Sequence, residues 1–479
     1  MSRLPASIRV SVLAAALLLP ACSPHKVVHN PDAPIELPSS FHSISAEGAN
    51  LPDRWWQSFG DPQLDKLVNA ALSDNLQVLA AWERLEQVKA VSTMAGAARY
   101  PSLDVQAAVV RTQETPFNIP SSPLSLNASY EVDLFKSVGN GLGAARTDEL
   151  AARDQVESLA MSLVAQIAET WFSLVSQRAR LELLSEQIKT SENFLELAEM
   201  RLGQGLGSSL DLLQQRQQLA VVSGQRPLLE SAVAVLQNQL ALLTGQTPGS
   251  IKVAVRSTLP ELPPLPGAGV PADLLLRRPD VRSARLAVTA ADYRVAVAVS
   301  NRLPKLRLTG QYGPFTRVQT NFSINPVRNI AASILAPLFQ GGRLKAEVKR
   351  NEAVVREKSY VFGQTLLQAI TEVENALVQE RKQVEYIALL EGQLTISQET
   401  LVEARARYGA GAGGQSFLQI LTALSSAQQI EQTLLSAKQQ ALSYRISLCR
   451  ALGGTWTHEL SIASKPQDSS SPNEETSTL

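Results

Sequence analysis

The sequence predicts a mixed chain of long α-helices and short membrane-type β-strands, arranged as two internal repeats. Three observations predict it. Two proline-free stretches, 142–202 and 343–408, carry apolar residues at helical spacing and end at glycine clusters. Short segments beginning near Leu103, Leu124 and Leu306 alternate apolar and polar residues with a period of two. The order helix, strand, strand, long helix, glycine turn, return helix then occurs twice, at a spacing of about 203 residues.

The chain begins as an export signal: Arg3 and Arg9, the apolar run 10–19, then Pro20, Ala21 and Cys22. That run is too short to span a membrane as a helix. Residues 19–22 (LPAC) resemble the lipobox of bacterial lipoproteins, in which the cysteine is acylated and becomes the mature N-terminus. Pro20 departs from the small residue usual there. An ordinary signal peptide with an incidental cysteine is the alternative. By the same resemblance, Ser23 implies sorting to the outer membrane. The expected division is a signal peptide 1–21, a lipidated arm 22–61, a first repeat 62–246, a Pro-rich linker 247–273, a second repeat 274–455, and a tail 456–479 disordered at its end. Cys22 and Cys449 are the two cysteines, so a lipidated Cys22 leaves no disulfide. Cys449 lies in an apolar helical stripe and reads as a small core residue.

In the first repeat, Trp55 and Trp56 introduce a helix over 62–98 that Tyr100-Pro101 stops. Leu103, Val105, Ala107 and Val109 then alternate with Asp104 and Gln106. After the loop 112–123, Leu124, Leu126, Ala128, Tyr130, Val132 and Leu134 alternate with Ser125, Asn127, Ser129, Glu131 and Asp133. This suits a membrane barrel strand, and a soluble half-buried hairpin would look the same. The helix 142–202 carries a seam of Leu181, Leu184, Ile188, Leu195, Ala198 and Leu202. Gly203, Gly205 and Gly207 end it, and Pro227 should kink the return helix 209–244.

The second repeat opens at Arg278. Leu306, Leu308 and Tyr312 alternate with Lys305, Arg307, Thr309 and Gln311. A loop containing Asn321, Asn325 and Pro326 leads to a fourth strand over 330–339. The helix 343–408 would reach roughly 100 Å. Its seam of Ile370, Val373, Leu377, Val384, Ile387 and Leu394 is interrupted by Glu380 and Glu391. Glycines at 409, 411, 413 and 414 stop it, and a return helix follows over 417–452.

The balance of 44 basic and 44 acidic residues removes the electrostatic case for nucleic-acid binding. Nor does an enzyme constellation emerge: His25, His29, His42 and His458 lie at the chain's ends without ligand spacing. Gly409, Gly411 and Gly414 satisfy G-x-G-x-x-G, but follow a helix where a dinucleotide site needs a strand. Four strands cannot close a membrane barrel, which starts at about eight, and an open edge in lipid leaves backbone groups unpaired. Copies must therefore share one barrel, eight strands as a dimer or twelve as a trimer.

The segments SYEVDLF at 129–135, RLGQGLGSSLDLL at 201–213, RRPDV at 277–281 and PLFQGGRL at 337–344 resemble the TolC family, more narrowly its OprM/NodT-type lipoproteins. The resemblance implies a homotrimer: a twelve-stranded outer-membrane β-barrel, four strands per chain, continuous with a long periplasmic α-helical barrel. It implies a duct for small molecules or drugs, working with a periplasmic adaptor and an inner-membrane pump of the RND type. Besides outer-membrane lipid and the covalent lipid on Cys22, no cofactor is expected. The two glycine turns would form the periplasmic tip, gate and adaptor-docking surface, with Gly203, Gly205, Ser208 and Asp211 in the first. Arg407, Tyr408, Gly411, Gln415, Gln419 and Thr422 would form the second. By resemblance Tyr408 and Gly411 match the family's second-turn tyrosine and glycine, and Asp211 its helix-locking aspartate. Gln419 and Thr422 replace the acidic pore positions of several members. Two alternatives are a type I protein-secretion duct and a non-conducting periplasm-spanning coiled-coil lipoprotein.

Overall fold

A computed structural model describes residues 24–42, 53–107, 124–250, 257–267, 269–317, 323–409 and 417–460. The elements are α1 (Pro62–Asp74), α2 (Leu76–Ala97), β1 (Ser102–Ala107), β2 (Leu124–Val132), α3 (Ser137–Gly203), α4 (Ser209–Ser223) and α5 (Arg226–Leu243). They continue with α6 (Leu274–Arg277), α7 (Pro279–Ser300), β3 (Lys305–Arg317), β4 (Ser323–Leu335), α8 (Arg343–Gly409) and α9 (Phe417–Leu452). The described residues of Met1–Glu36, Glu83–Gln155 and Asp280–Leu366 form one compact unit; those of Leu37–Trp82, Val156–Pro279 and Leu367–Leu479 form the other. Each unit therefore draws on both halves of the sequence.

The first unit holds the sheet, antiparallel in the order β1-β2-β3-β4. Its register gathers the period-two pattern into two continuous faces, because directly paired residues share a side. One row runs Val105, Leu126, Tyr312, Arg328, and the next runs Leu103, Ala128, Gly310, Ile330. Tyr130, Leu308 and Ala332, then Val132, Leu306 and Ile334, complete this apolar face. Arg328 is its charged exception, with the guanidinium 5.7 Å from the Tyr312 ring centroid. The opposite face carries Asp104, Asn127, Gln311 and Asn329, then Ser102, Ser129 and Thr309.

The strands differ from the expected bounds. β3 and β4 pair over thirteen positions each, from Lys305↔Leu335 to Arg317↔Ser323, so β4 starts at Ser323 and ends before Phe339. Asn325 and Pro326 thus belong to the strand. Pro326 is tolerated because β4 is an edge, and Pro314 lies beyond Tyr312, where the pairing of β2 with β3 ends. Val109 lies outside the described residues.

Asp133, read from alternation as a strand residue, instead starts α3. Its carboxylate accepts the backbone N–H of Val138 (3.0 Å) and Gly139 (2.7 Å), so the helix begins five residues before 142. In the same unit, Asp292 of α7 holds the N-terminal arm. It accepts the Val28 N–H at 2.8 Å and lies 2.7 Å from His25 Nε2.

The second unit centres on Trp55, Trp56, Phe59, Trp171 and Phe172, all buried. Trp171 Nε1–H donates to Asp61 at 2.9 Å, and the other Asp61 oxygen caps α1 through the Gln63 N–H. Trp456, at the head of the expected tail, is buried and meets Trp56 edge-on at 5.0 Å. The single helix expected over 62–98 breaks at Asn75. The Asn75 side chain caps α2 through Gln77 and Val78, and its Nδ2 donates to the Leu243 carbonyl at 2.9 Å. Gly245 (φ +72) closes that joint: a Cβ there would stand 2.3 Å from the Asp74 carbonyl oxygen. The same joint recurs in the second half. Arg278 donates to the Ala451 carbonyl at 3.2 Å, and a Cβ on Gly453 (φ +78) would stand 2.6 Å from the Arg277 oxygen.

The expected kink in the return helix falls at a two-residue interruption, where Gly224 and Gln225 keep right-handed helical backbone. α4 ends at Ser223 and α5 starts at Arg226, with Pro227 in its first turn, where the missing N–H costs nothing. The two acidic interruptions of the α8 seam are also accounted for. Glu391 lies 2.8 Å from exposed Lys438. Glu380 is buried and takes a two-pronged contact from Arg445, whose Nη1 also donates to the carbonyls of Pro263 and Pro264. One ion pair thus joins α8, α9 and the Pro-rich linker.

Arg445→Ala strands the buried Glu380 carboxylate and should cost about 3–5 kcal/mol, whereas Glu380→Leu with Arg445→Leu should cost far less; thermal melts of the two variants make the comparison. Burial pushes the neighbouring Cys449 thiol up to about 12 from 9.0. The folded state therefore holds the proton more tightly, and this group's contribution to stability is lost as pH rises from 9.0 towards 12. Native protein at about pH 8 should resist maleimide at Cys449 and react fully once denatured.

Candidate functional site

The first glycine turn is built entirely by local rules. At the end of α3 the Leu206 N–H bonds the Arg201 carbonyl (2.9 Å) and the Gly205 N–H bonds that of Leu202 (3.0 Å). Gly205 has φ +71. This paired closure needs a left-handed residue, which glycine adopts without steric cost. Ser208 then starts α4 with a capping box: its Oγ accepts the Asp211 N–H at 3.1 Å, and Asp211 accepts the Ser208 N–H at 3.3 Å. Within the chain, Asp211 locks its own helix start. Gly203 is the last residue of α3, and a Cβ there meets nothing within 4 Å.

At the second turn α8 ends at Gly409. Gly411 and Gln415, like Cys22, lie outside the described residues, and the Tyr408 side chain is likewise undescribed. Arg407 is exposed and pairs with Glu403 one turn earlier, at 2.6 Å. Gln419 and Thr422 lie in the first turns of α9, on a groove of about 520 Å³ against α8, walled by Ile396, Thr400 and Leu418.

What unites the two turns is an apolar cluster set back from them. Phe194 and Ala198 of α3 pack with Ile420, Leu421 and Leu424 of α9, flanked by Leu212 of α4 and by Leu401 and Ala404 of α8. The Arg405 guanidinium lies 4.5 Å from the Phe194 ring centroid, tying α8 to α3. Farther along, Gln432 Nε2 donates to Gln187 and to Gln225, the latter in the break between α4 and α5. Gln215 Nε2 donates to the Ser191 carbonyl at 2.7 Å. The sequence reading missed Arg405, Phe194 and these glutamines. The available signal was polar residues recurring at seam positions of α3.

Among the described residues, two apolar surfaces have no cover. One is the sheet face, where Ile330 is 91% exposed. The other is a stripe on α4 and α5: Val221, Leu228, Val235 and Leu242 repeat every seventh residue, with Leu242 72% exposed. A heptad stripe is the face a helix offers to another helix.

A four-stranded two-faced sheet joined to 67-residue helices is the architecture of an outer-membrane channel subunit. The chain belongs to the outer membrane efflux protein family, whose model matches residues 67–246 and again 270–454, and it is an outer-membrane protein. It is 28% identical over 469 residues to the pyoverdine export outer membrane protein OpmQ of Pseudomonas aeruginosa, covering 93% of this chain and 97% of that one. The structure of the outer-membrane channel OprN has the same fold, with a TM-score of 0.85 at 24% identity over 91% of this chain and 100% of that one. A structure of CusC, described in terms of transmembrane channel formation, matches with a TM-score of 0.79 at 26% identity over 91% and 100% of the two chains.

Gly205→Ala should cost about 1–2 kcal/mol locally by forcing a side chain into positive φ, while Gly203→Ala should be neutral or slightly stabilising. Amide exchange across 204–212 should speed up in the first variant and not in the second.

Proposed function

We propose that three copies of this chain form one closed pipe: a twelve-stranded barrel in the outer membrane, continuous with a periplasmic helical barrel. It serves as the exit duct of a tripartite efflux system, conducting small molecules received from a periplasmic adaptor and an RND-type inner-membrane pump. The observation that carries the reading is the sheet. Among the described residues its apolar face is exposed and its outer strands β1 and β4 have no partners beyond the sheet. In lipid each unpaired edge group would cost several kcal/mol, so β1 of one copy must meet β4 of the next. The heptad stripe on α4 and α5 adds a second surface needing a neighbouring copy.

The relative OpmQ is named for pyoverdine export, which supports an efflux role for this chain. On this reading acylated Cys22 anchors the arm in the same membrane. The glycine turns carrying Gly203, Gly205, Ser208, Asp211, Arg407, Tyr408, Gly411 and Gln415 form the gate and meet the adaptor. The mouth lacks carboxylates at Gln419 and Thr422, so it attracts cations weakly.

Mass measurement of the detergent-extracted protein should give a trimer, and planar-bilayer recordings should show channels of weak cation selectivity. Thr422→Asp should raise that selectivity, because it adds a ring of three charges. A stable monomer without conductance contradicts the reading.

A further inference from the structure

In the first unit a cavity of about 660 Å³ opens where α2 ends, β2 ends and α3 begins. Arg99, Lys136 and Arg146 line it, together with Asn140, Tyr130 and Tyr293. We infer that this cavity is a binding site for the phosphate-bearing headgroup of an anionic membrane lipid. The inference rests on the membrane reading above.

Charge is the first argument. Among the described residues, Arg99, Lys136 and Arg146 form no ion pair, and the two carboxylates beside them are engaged elsewhere. Glu131 pairs with Lys305 at 3.2 Å, and Asp133 is taken by the backbone N–H groups that start α3. Three cations without a direct ion pair therefore share the cavity with two carboxylates, and its lining is net positive.

The second argument is an orphaned donor. Asn140 is 7% exposed and lines the cavity, and its Nδ2 has no hydrogen-bond partner. A buried amide without an acceptor costs free energy that a phosphate oxygen would recover. The third argument is a contrast inside the molecule. A smaller cavity, about 330 Å³, lies at the base of the other hairpin and contains Lys305, Gln340, Arg343 and Glu347. There Lys305 pairs with Glu131, and Arg343 pairs with Glu347 at 3.5 Å and donates to Gln340 at 3.1 Å. Its cations are satisfied, whereas those of the first cavity are not.

The surroundings select a lipid over a free anion. Tyr130 lines the cavity and also belongs to the exposed apolar face, paired with Leu308. An acyl chain could run from Tyr130 along that face while its phosphate stays with the cations, and tyrosine is enriched at this depth in membrane proteins. The volume lies within the range of small-molecule sites.

The test titrates phosphatidylglycerol, phosphatidylcholine, lipid A or inorganic phosphate into the full-length protein in nonionic detergent, with native mass spectrometry counting bound molecules. The expected result is retention of phosphatidylglycerol or lipid A over phosphatidylcholine. Lys136→Gln and Arg146→Gln should each weaken it about fivefold. Arg343→Gln, at the satisfied cavity, should leave it unchanged, and circular dichroism of every variant should match that of the unaltered protein. Preference for phosphatidylglycerol identifies a glycerophospholipid, and preference for lipid A identifies the outer-leaflet lipid. Equal binding of phosphatidylcholine, insensitivity to Lys136→Gln and Arg146→Gln, or inorganic phosphate competing as well as either lipid overturns the assignment. Flotation with vesicles separates the two failures. Protein that does not float loses the membrane reading, whereas protein that floats without headgroup preference loses only this site.

Discussion

Backbone groups at the edge of a sheet need partners, and where water is absent only another strand can provide them. Among the described residues, four strands present a continuous apolar face and leave β1 and β4 as edges. Bending four strands into a closed ring is geometrically impossible, since a barrel needs about eight. On the proposed reading the subunit is one part of a shared barrel, and much else follows from that. The return helices α4 and α5 can show an unpaired heptad stripe, and the single chain can leave large residues such as Ile330 uncovered. A lone soluble domain with those surfaces would aggregate.

Joints, more than helix interiors, hold the helical part together. Asn75 with Gly245, and Arg278 with Gly453, use a side-chain donor to satisfy a carbonyl at a helix end and a Cβ-free residue to let backbones touch. Two unlike residues do the same work, an amide in one half and a guanidinium in the other. Arg278 also reaches Glu372 at 2.8 Å, which gives the second joint a link to α8 that the first lacks. Two polar clusters inside the helical packing follow one logic. The buried Glu380–Arg445 pair and the Gln187–Gln432–Gln225 chain sit where an apolar residue would fit the seam, and each is largely satisfied by a side chain from another helix. Such contacts reward one alignment of helices and penalise slippage, because a shifted register strands a buried polar atom.

Period and punctuation are legible in the sequence. Proline-free length announced α3 and α8, alternation announced the strands, and glycine clusters announced the turns. Gly205 and the Ser208–Asp211 box were readable because a turn and a cap are decided within about five residues. Interruptions were read less well. Asn75 breaks a helix that the apolar pattern carries through, and Asp133 passes for a strand residue while serving as a cap. Pro326 looked like loop until a thirteen-residue partner drew it into the edge of the sheet.

By itself, then, the sequence determined what depends on neighbours along the chain: element type, approximate length, the repeated order, and which residues can take a left-handed turn. Tertiary structure alone decided which residue faces which: that Glu380 meets Arg445, that Phe194 lies under Arg405, and that Arg99 beyond the end of α2 shares a cavity with Lys136, Asn140 and Arg146 at the start of α3. The physical reason is that a buried charge or amide is stabilised by a partner chosen through packing, and packing couples residues whose separation along the chain carries no periodic signal.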